Sequence, residues 1–514
     1  MNDSPVSRRS FMQAALDWIE RAGNRVPDPV VIFLALAALV ILLSHVLYLW
    51  GVGVTYQAIN PENHRLETSV VTVKSLLTGE GIRFMLTSAI RNFTGFGPVG
   101  IILVAMVGVG LAEEAGLMRA LIHKVVMVAP ARAMTFILVF LGALSSIATD
   151  AGYLVLIPLG AAAFQAIGRH PLAGLAASFA GVAAVFAANI LIVPLDGILT
   201  EVTNDAIHLL NPSKSLDITA NFYFSVVSTI LLAFAVTVVS ERIVEPRLGA
   251  YHGEVAAGPG AGQTLSAAET RGLRYALVAL VLFVLVLGLL TLPAAAPLRH
   301  PETGALVGNS PLMDSLILLI MLAFLAIGAA YGIGAGTIRT LAAGIKAVTK
   351  TIAGLAGLLL LFLVMSQFIA YFNFSNMATI AAVNMANWLQ GANVSVLALL
   401  IGFVVVIAVL DILITGAIPK WAIFAPIFVP LFMSLGVSPE LVLAAYRVGD
   451  SPVNVVTPLM PYFPMIVVFA QKYDKSAGVG TIVAMMLPYT VATLIVWTIL
   501  LVVWFLLGIP LGPA

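Results

Sequence analysis

The stretch "YRVGDSPVNVVTPLMPYFP", residues 446–464, puts an arginine, an aspartate and four prolines into a chain that is otherwise overwhelmingly apolar. Pro452, Pro458, Pro461 and Pro464 each lack a backbone donor, so a helix that enters this stretch cannot run through it unbroken. A helix predicted from about Glu440 to Gly449 carries Arg447 on its last turn, and Asp450 opens the break. Non-helical backbone at membrane depth is tolerated only where protein or a water-filled cavity covers it. The stretch therefore reads as half of an internal polar site.

That reading requires a membrane protein, and the composition supplies one. Of 514 residues 61% are hydrophobic and 10% charged, against roughly 45–50% and 25% in soluble domains. The predicted class is an all-α polytopic membrane protein embedded in a lipid bilayer. A net charge of +1 speaks against a nucleic-acid partner, and zero cysteines exclude disulfides, thiolate metal sites and thiol catalysis. Residues 1–29 are polar and amphipathic and are expected to form a cytoplasmic N-terminal segment. The apolar run from Val30 to Trp50 is long enough to span and lacks a small-residue cleavage site, so it reads as a retained first helix.

Hydropathy gives nine spans, near 30–50, 98–115, 172–200 (interrupted), 221–241, 274–293, 313–333, 351–372, 440–466 (interrupted) and 478–508. Regions 132–167 and 395–436 are apolar but broken by "SSIATDAG" (145–152) and "TGAIPKW" (415–421), and both read as re-entrant helical hairpins. With the N terminus inside, 17 of the 25 Lys and Arg fall on the cytoplasmic side and six on the outer side. That asymmetry fits the positive-inside rule. Lys420 and Arg447 remain within the membrane.

The two hairpins belong to a repeat. "GRHPLAGLAASFAG" (168–181) matches "GVSPELVLAAYRVG" (436–449) at six of 14 positions, at an offset of 268 that also sets Pro158 on Pro426 and Tyr153 on Trp421. Residues 30–243 and 313–514 read as two units of opposite orientation, each with a hairpin and a broken helix. Residues 244–312 supply a cytoplasmic loop, a linking helix and an outer loop. Inverted repeats of this kind are common in secondary transporters, whose sites lie where discontinuous helices meet at the midplane.

The candidate site follows from the breaks. The first unit breaks at "AANILIVPLDG", with Asn189, Pro194 and Asp196; the second offers Arg447, Asp450 and Asn454. Ser145, Ser146, Thr149 and Asp150 lie at one hairpin tip, Thr415, Lys420 and Trp421 at the other, and Asp411 just before it. Intramembrane charge is costly and is kept where it works. Asp196 and Asp450 are expected to carry protons or ligate a cation, with a structural ion pair to Arg447 or Lys420 as the plainer reading. Arg447 has the planar fork that holds a carboxylate. Trp421 is placed to stack on an aromatic ring or simply to pack, and Asp411 is a cation ligand, a proton carrier or a solvated polar group. Ser145, Asn189 and Asn454 are the donors a sodium ion would use. Glu113 and Glu114 end a helix at the cytoplasmic border and read as solvated.

"LSSIATDAGYLVLIPL", "GRHPLAGLAASFAGV", "KWAIFAPIFVPL" and "AAYRVGDSPVNVVTPLMPYFP" resemble the bacterial p-aminobenzoyl-glutamate transporter (AbgT) family, over nearly the whole chain. The resemblance implies a homodimer in the inner membrane, each subunit with nine transmembrane helices and two re-entrant hairpins. It implies transport of p-aminobenzoyl-glutamate and p-aminobenzoate-like folate metabolites. It also implies export of sulfonamide antimetabolites driven by the proton motive force, with H+ as coupling ion and no cofactor. The family's functional positions fall on Asp196, Trp421, Pro439, Arg447 and Asp450. Two features depart from the family pattern: Asn is usual where this chain has Asp411, and the serine-rich second tip here contains Ile418 and Pro419.

Three other readings compete. A sodium-coupled importer of small dicarboxylates would use Asn189, Asn454 and the tip serines. An intramembrane amide hydrolase would need an aspartyl pair, Asp196 with Asp450, since there is no HExxH and no Cys, and no His lies beside the breaks. A channel fits midplane charge less well than gated access does.

Overall fold

The computed structural model describes residues 27–513 except 28, 60–65, 148–151, 252–264, 307–309, 392–394 and 413. The first helix, α1 (Pro29–Leu49), is followed by a two-stranded antiparallel hairpin, β1 (Gly53–Ile59) and β2 (Leu66–Thr72), paired from Gly53–Thr72 to Ile59–Leu66. Then come α2 (Gly79–Thr94), α3 (Gly97–Ala115), α4 (Leu117–Val128) and α5 (Met134–Leu144). A single π turn, Gly152–Leu156, leads into α6 (Ile157–Ala166). Helix α7 (Pro171–Phe179) ends in a second π turn, Ala180–Ala184, and α8 (Pro194–Ile207) and α9 (Phe222–Val239) follow.

The middle of the chain is α10 (Ala267–Thr291). After it come α11 (Leu316–Ala335), α12 (Leu341–Gly354), α13 (Ala356–Phe374), α14 (Met377–Gly391), α15 (Val396–Asp411), α16 (Ala417–Ser434), α17 (Pro439–Asp450), α18 (Phe463–Gln471) and α19 (Val479–Leu507). Among the described residues eight helices are long and apolar enough to cross a membrane, or nine if the bent pair α4–α5 counts as one span. Five of the nine spans read from hydropathy are continuous helices; 313–333 crosses a turn at Ser315 and 351–372 one at Leu355, and the two read as interrupted are interrupted. The 18-residue α16, read as a hairpin arm, is itself long and apolar enough to cross.

Among the described residues the regular structure is helical apart from the small hairpin at 53–72, which the sequence reading folded into an outer loop. Its strands are rich in Val and Thr, residues that suit a pleated surface. Residues 117–128, read as part of an inner loop, form an amphipathic helix that bends 119° into the chain leading through α5. Pro130 sits at that bend, where it removes a donor.

Helix ends follow local chemistry. Pro171 and Pro439 open α7 and α17 at positions where the missing N–H has no helical partner to lose. Gly116 takes φ +92° between α3 and α4, a left-handed conformation that a side chain would strain. The offset seen in the sequence runs through the helix boundaries: Pro171 and Pro439, Ala166 and Ser434, and Val239 and Leu507 each lie 268 residues apart.

The two broken helices are the most enclosed parts of the protein. Every residue of α7 is buried, and in α17 only Glu440 is not. By contrast α10 and α11 show most of their apolar surface outward, as lipid-facing helices do. Small residues allow the tight centre. A Cβ at Gly181 would lie 2.6 Å from the carbonyl oxygen of Val139, and one at Gly142 would lie 2.5 Å from the Gly181 carbonyl carbon. Gly181→Val is therefore expected to push α5 away from the π turn and to cost about 1–3 kcal/mol. Thermal unfolding in detergent checks this against Gly100→Ala, where a Cβ meets nothing within 4 Å; equal midpoints for the two variants would refute the close-packing account.

Candidate functional site

Three helix breaks converge at the centre. Chain from the α7–α8 break, from the α17–α18 break and from the entry to α16 lines one cavity of about 250 Å³. Phe186 and Leu195 come from the first break; Asp450, Asn454 and Tyr462 come from the second. The turn Thr415–Pro419 forms a third wall, and Tyr153 and α13 close the rest. The lining is mostly apolar, with Thr415, Asp450 and Asn454 as its short polar side chains. Tyr153 and Tyr462 lie ring on ring in that wall, centroids 4.2 Å apart and planes within 9°. The N terminus of α16 has no side-chain cap, so its free N–H groups favour an anionic group there.

Behind the cavity runs a chain of buried charge. Asp196, in the first turn of α8, accepts from the Val193 amide through Oδ2 at 2.8 Å and from Arg447 Nη1 through Oδ1 at 2.6 Å. Arg447 also donates to the Ala187 carbonyl at 3.3 Å, so the second broken helix holds the first at its break. One turn along α17, Asp450 Oδ1 lies 2.7 Å from Lys420 Nζ and 3.0 Å from the Tyr446 hydroxyl. That hydroxyl also reaches the Ala417 carbonyl. Lys420 makes a second ion pair with Asp411. Asp411 and Lys420 are wholly buried, and Arg447 and Asp450 nearly so.

Three carboxylates, Asp196, Asp411 and Asp450, thus face two cations, Lys420 and Arg447. Charges so far from water must be compensated by partners. With all five groups ionised, one negative charge is left over.

The remaining sequence candidates fall into place around this core. Trp421 is fully buried, stacks on Tyr446 at 4.5 Å, and donates from Nε1 to Thr203 Oγ1 at 2.9 Å and to the Leu199 carbonyl at 3.2 Å. It does not line the cavity, so in this conformation it packs the site from behind, and the ring pair in the cavity wall is Tyr153 with Tyr462. Pro439 is buried at the start of α17, far along the helix from Asp450. Asn189 donates from Nδ2 to Ser146 Oγ at 2.8 Å and to the Ala143 carbonyl at 3.1 Å, tying the first break to the first tip. Ser145 bonds to Gly142 and Asn454 to Ala183, so the sodium-ligand candidates are engaged at separate places. Asp150 and Thr149 lie outside the described residues.

Asp196 and Asp450 are not bonded to each other; each faces its own cation, which is not the shared-proton arrangement an aspartyl hydrolase needs. Glu114 meets Lys350 at 2.8 Å on the surface, in keeping with a solvated position. Sequence reasoning passed over Tyr446, although its four-residue spacing from Asp450 on one helix was a usable signal. It offered Lys420 as a partner for Asp450, which the structure shows, and missed Asp411, which comes from a separate helix and leaves no spacing to read.

Comparison with known proteins now adds a frame. The profile of the AbgT putative transporter family matches residues 14–514. The p-aminobenzoyl-glutamate transport protein of Escherichia coli (strain K12) is 35% identical over 513 residues, covering 100% of this chain and 99% of that one. The YdaH transporter of Alcanivorax borkumensis superposes with a TM-score of 0.88 at 39% identity, covering 95% of this chain and 100% of that chain. MtrF of Neisseria gonorrhoeae, described as one of a class of antimetabolite efflux pumps, gives 0.90 at 37% identity, covering 97% and 99%.

Proposed function

The chain belongs to the AbgT putative transporter family, and on that premise we propose that it moves p-aminobenzoyl-glutamate and related p-aminobenzoate-like metabolites, and exports sulfonamides, by coupling them to protons. The observation that carries this reading is the cavity between the helix breaks, set against a buried charge chain with one negative charge in excess. An aromatic ring fits against Tyr153 and Tyr462, and a carboxylate fits the uncapped start of α16. A proton taken up by the cluster makes it neutral, so substrate passage and charge compensation occur in one place. Ser146 and Asn189, bonded to each other where the first tip meets the first break, are assigned to the substrate path in this reading.

In this reading the chain sits in the bacterial inner membrane with its N terminus inside, as the distribution of 17 against six basic residues favours. The regions 132–167 and 395–436 act as re-entrant hairpins of two inverted units, which alternate access around the site. The subunit works as a homodimer, as the family resemblance implies.

The test is flux into proteoliposomes of labelled p-aminobenzoyl-glutamate and of a sulfonamide, with proton and sodium gradients imposed separately. Flux should follow the proton gradient, and Asp450→Asn should lose its pH dependence. Flux that follows sodium alone would replace this reading with the sodium-coupled importer, and an Asp450→Asn variant with wild-type pH dependence would remove Asp450 from the proton path.

A further inference from the structure

Lys420 stands in a place chosen against local helix preferences. Asp411 is the last residue of α15 and Asp450 the last of α17, so two carboxylates sit at helix C termini, where the backbone already concentrates negative charge. Lys420 lies in the first turn of α16, the end that disfavours a cation. Only their mutual attraction explains the arrangement. The Asp411 carboxylate makes no hydrogen bond, is wholly buried, and has the Lys420 ammonium as its ion-pair partner. Arg447, on the same helix as Asp450, is turned to Asp196.

Around Nζ the protein has gathered oxygens. The Asp411 and Asp450 carboxylates touch the ammonium directly, and the Tyr446 hydroxyl lies beside Asp450, with the Ala417 carbonyl within its reach. Hard oxygen donors around a single positive charge are also the environment of an alkali cation. Lysine differs in that the group carrying the charge is covalently held and cannot diffuse away.

We propose that the Lys420 ammonium is a tethered replacement for a sodium ion, fixed between Asp411 and Asp450 so that the wild-type protein neither binds nor needs sodium there. Removing the ammonium leaves Asp411, Asp450 and Asp196 against Arg447 alone and opens space among the oxygens. The vacated position then takes up sodium. The inference rests on the transport reading for its flux measurement only.

The experiment compares wild type, Lys420→Ala, Lys420→Gln and the double variant Lys420→Ala/Asp411→Asn. Thermal unfolding of the purified full chain in detergent is followed in sodium chloride and in choline chloride at equal concentration, about 0.2 M. Wild type should unfold at the same temperature in both salts. Lys420→Ala should unfold roughly 3 °C or more higher in sodium, and the double variant should lose that difference. In proteoliposomes, wild-type flux of p-aminobenzoyl-glutamate should be equal in the two salts, and the Lys420→Ala flux should recover only in sodium. A sodium-specific shift in wild type overturns the proposal, and so do equal midpoints for the lysine variants in the two salts. If Lys420→Ala does not fold, Lys420→Gln carries the same comparison. An absence of wild-type flux beside a sodium shift in the variants would sink the substrate assignment and leave the ion inference standing.

Discussion

Replacing Arg447 with alanine should abolish transport and lower stability by about 3–5 kcal/mol, the range for removing one partner of a buried ion pair. Arg447 bridges the two broken helices: its Nη1 meets Asp196 at 2.6 Å and the Ala187 carbonyl at 3.3 Å. Its side chain is 4% exposed and that of Asp196 13%, so water cannot take over the vacated contacts. The carboxylate would be left charged and unpaired, and the cluster's excess would rise from one negative charge to two. A flux loss of roughly 100-fold corresponds to about 2.7 kcal/mol, within what truncating a buried charge partner costs. The double variant Asp196→Asn/Arg447→Met separates the two effects. It removes both charges, so thermal stability should return most of the way while flux stays lost. Recovery of flux in the double variant would reduce the pair to a structural clamp.

The Trp421→Ala variant ranks next. The indole is fully enclosed, so deleting it removes a large buried surface and leaves a cavity, at about 3–5 kcal/mol. Its loss also frees Tyr446, whose hydroxyl connects Asp450 to the Ala417 carbonyl at the start of α16. The effect should therefore reach the charge cluster without any contact between Trp421 and substrate. Trp421→Phe discriminates. It keeps a ring on Tyr446 and gives up the donor to Thr203 and Leu199, a loss of about 1–3 kcal/mol. If Trp421 acts through packing, Trp421→Phe should transport p-aminobenzoyl-glutamate and a sulfonamide with their relative rates unchanged. A change in that ratio would place the indole in the substrate's path.

Much of this architecture was legible because prolines and glycines leave marks that hydropathy cannot blur. The breaks at 187–197 and 450–462 and the 268-residue offset were read from such residues, and the helix ends of both units keep the offset. Helices α2, α4 and α12 were missed for the opposite reason. Each is amphipathic and carries charge, so each looked like loop in an averaged hydropathy reading. The site was legible as a set of residue types, with ion pairs of Asp196 and Asp450 to Arg447 or Lys420 named but not assigned. Asp196 with Arg447, and Asp411 with Lys420, lie on separate helices whose approach is a property of packing. The position of Trp421 was visible and its burial was not, because nothing in one sequence says which face of a hairpin turns inward. At the offset of 268, Asp411, Lys420, Arg447 and Asp450 correspond to Ala143, Gly152, Phe179 and Val182, so the charge is concentrated in one of two matched units.

The odd number of charges in the whole cluster, with Asp196 counted beside the four of residues 411–450, has an electrical consequence. A living membrane holds a voltage, and each elementary charge that crosses it exchanges about 2.3 kcal/mol per 100 mV. Three carboxylates against two cations carry one net negative charge when no proton is bound, and none when one is. Helices that move with the cluster unprotonated are therefore pushed or held by the voltage. With a proton bound, the cluster itself adds no net charge to the movement. On the proton-coupled reading, the membrane potential therefore acts on the cluster in one protonation state and not in the other.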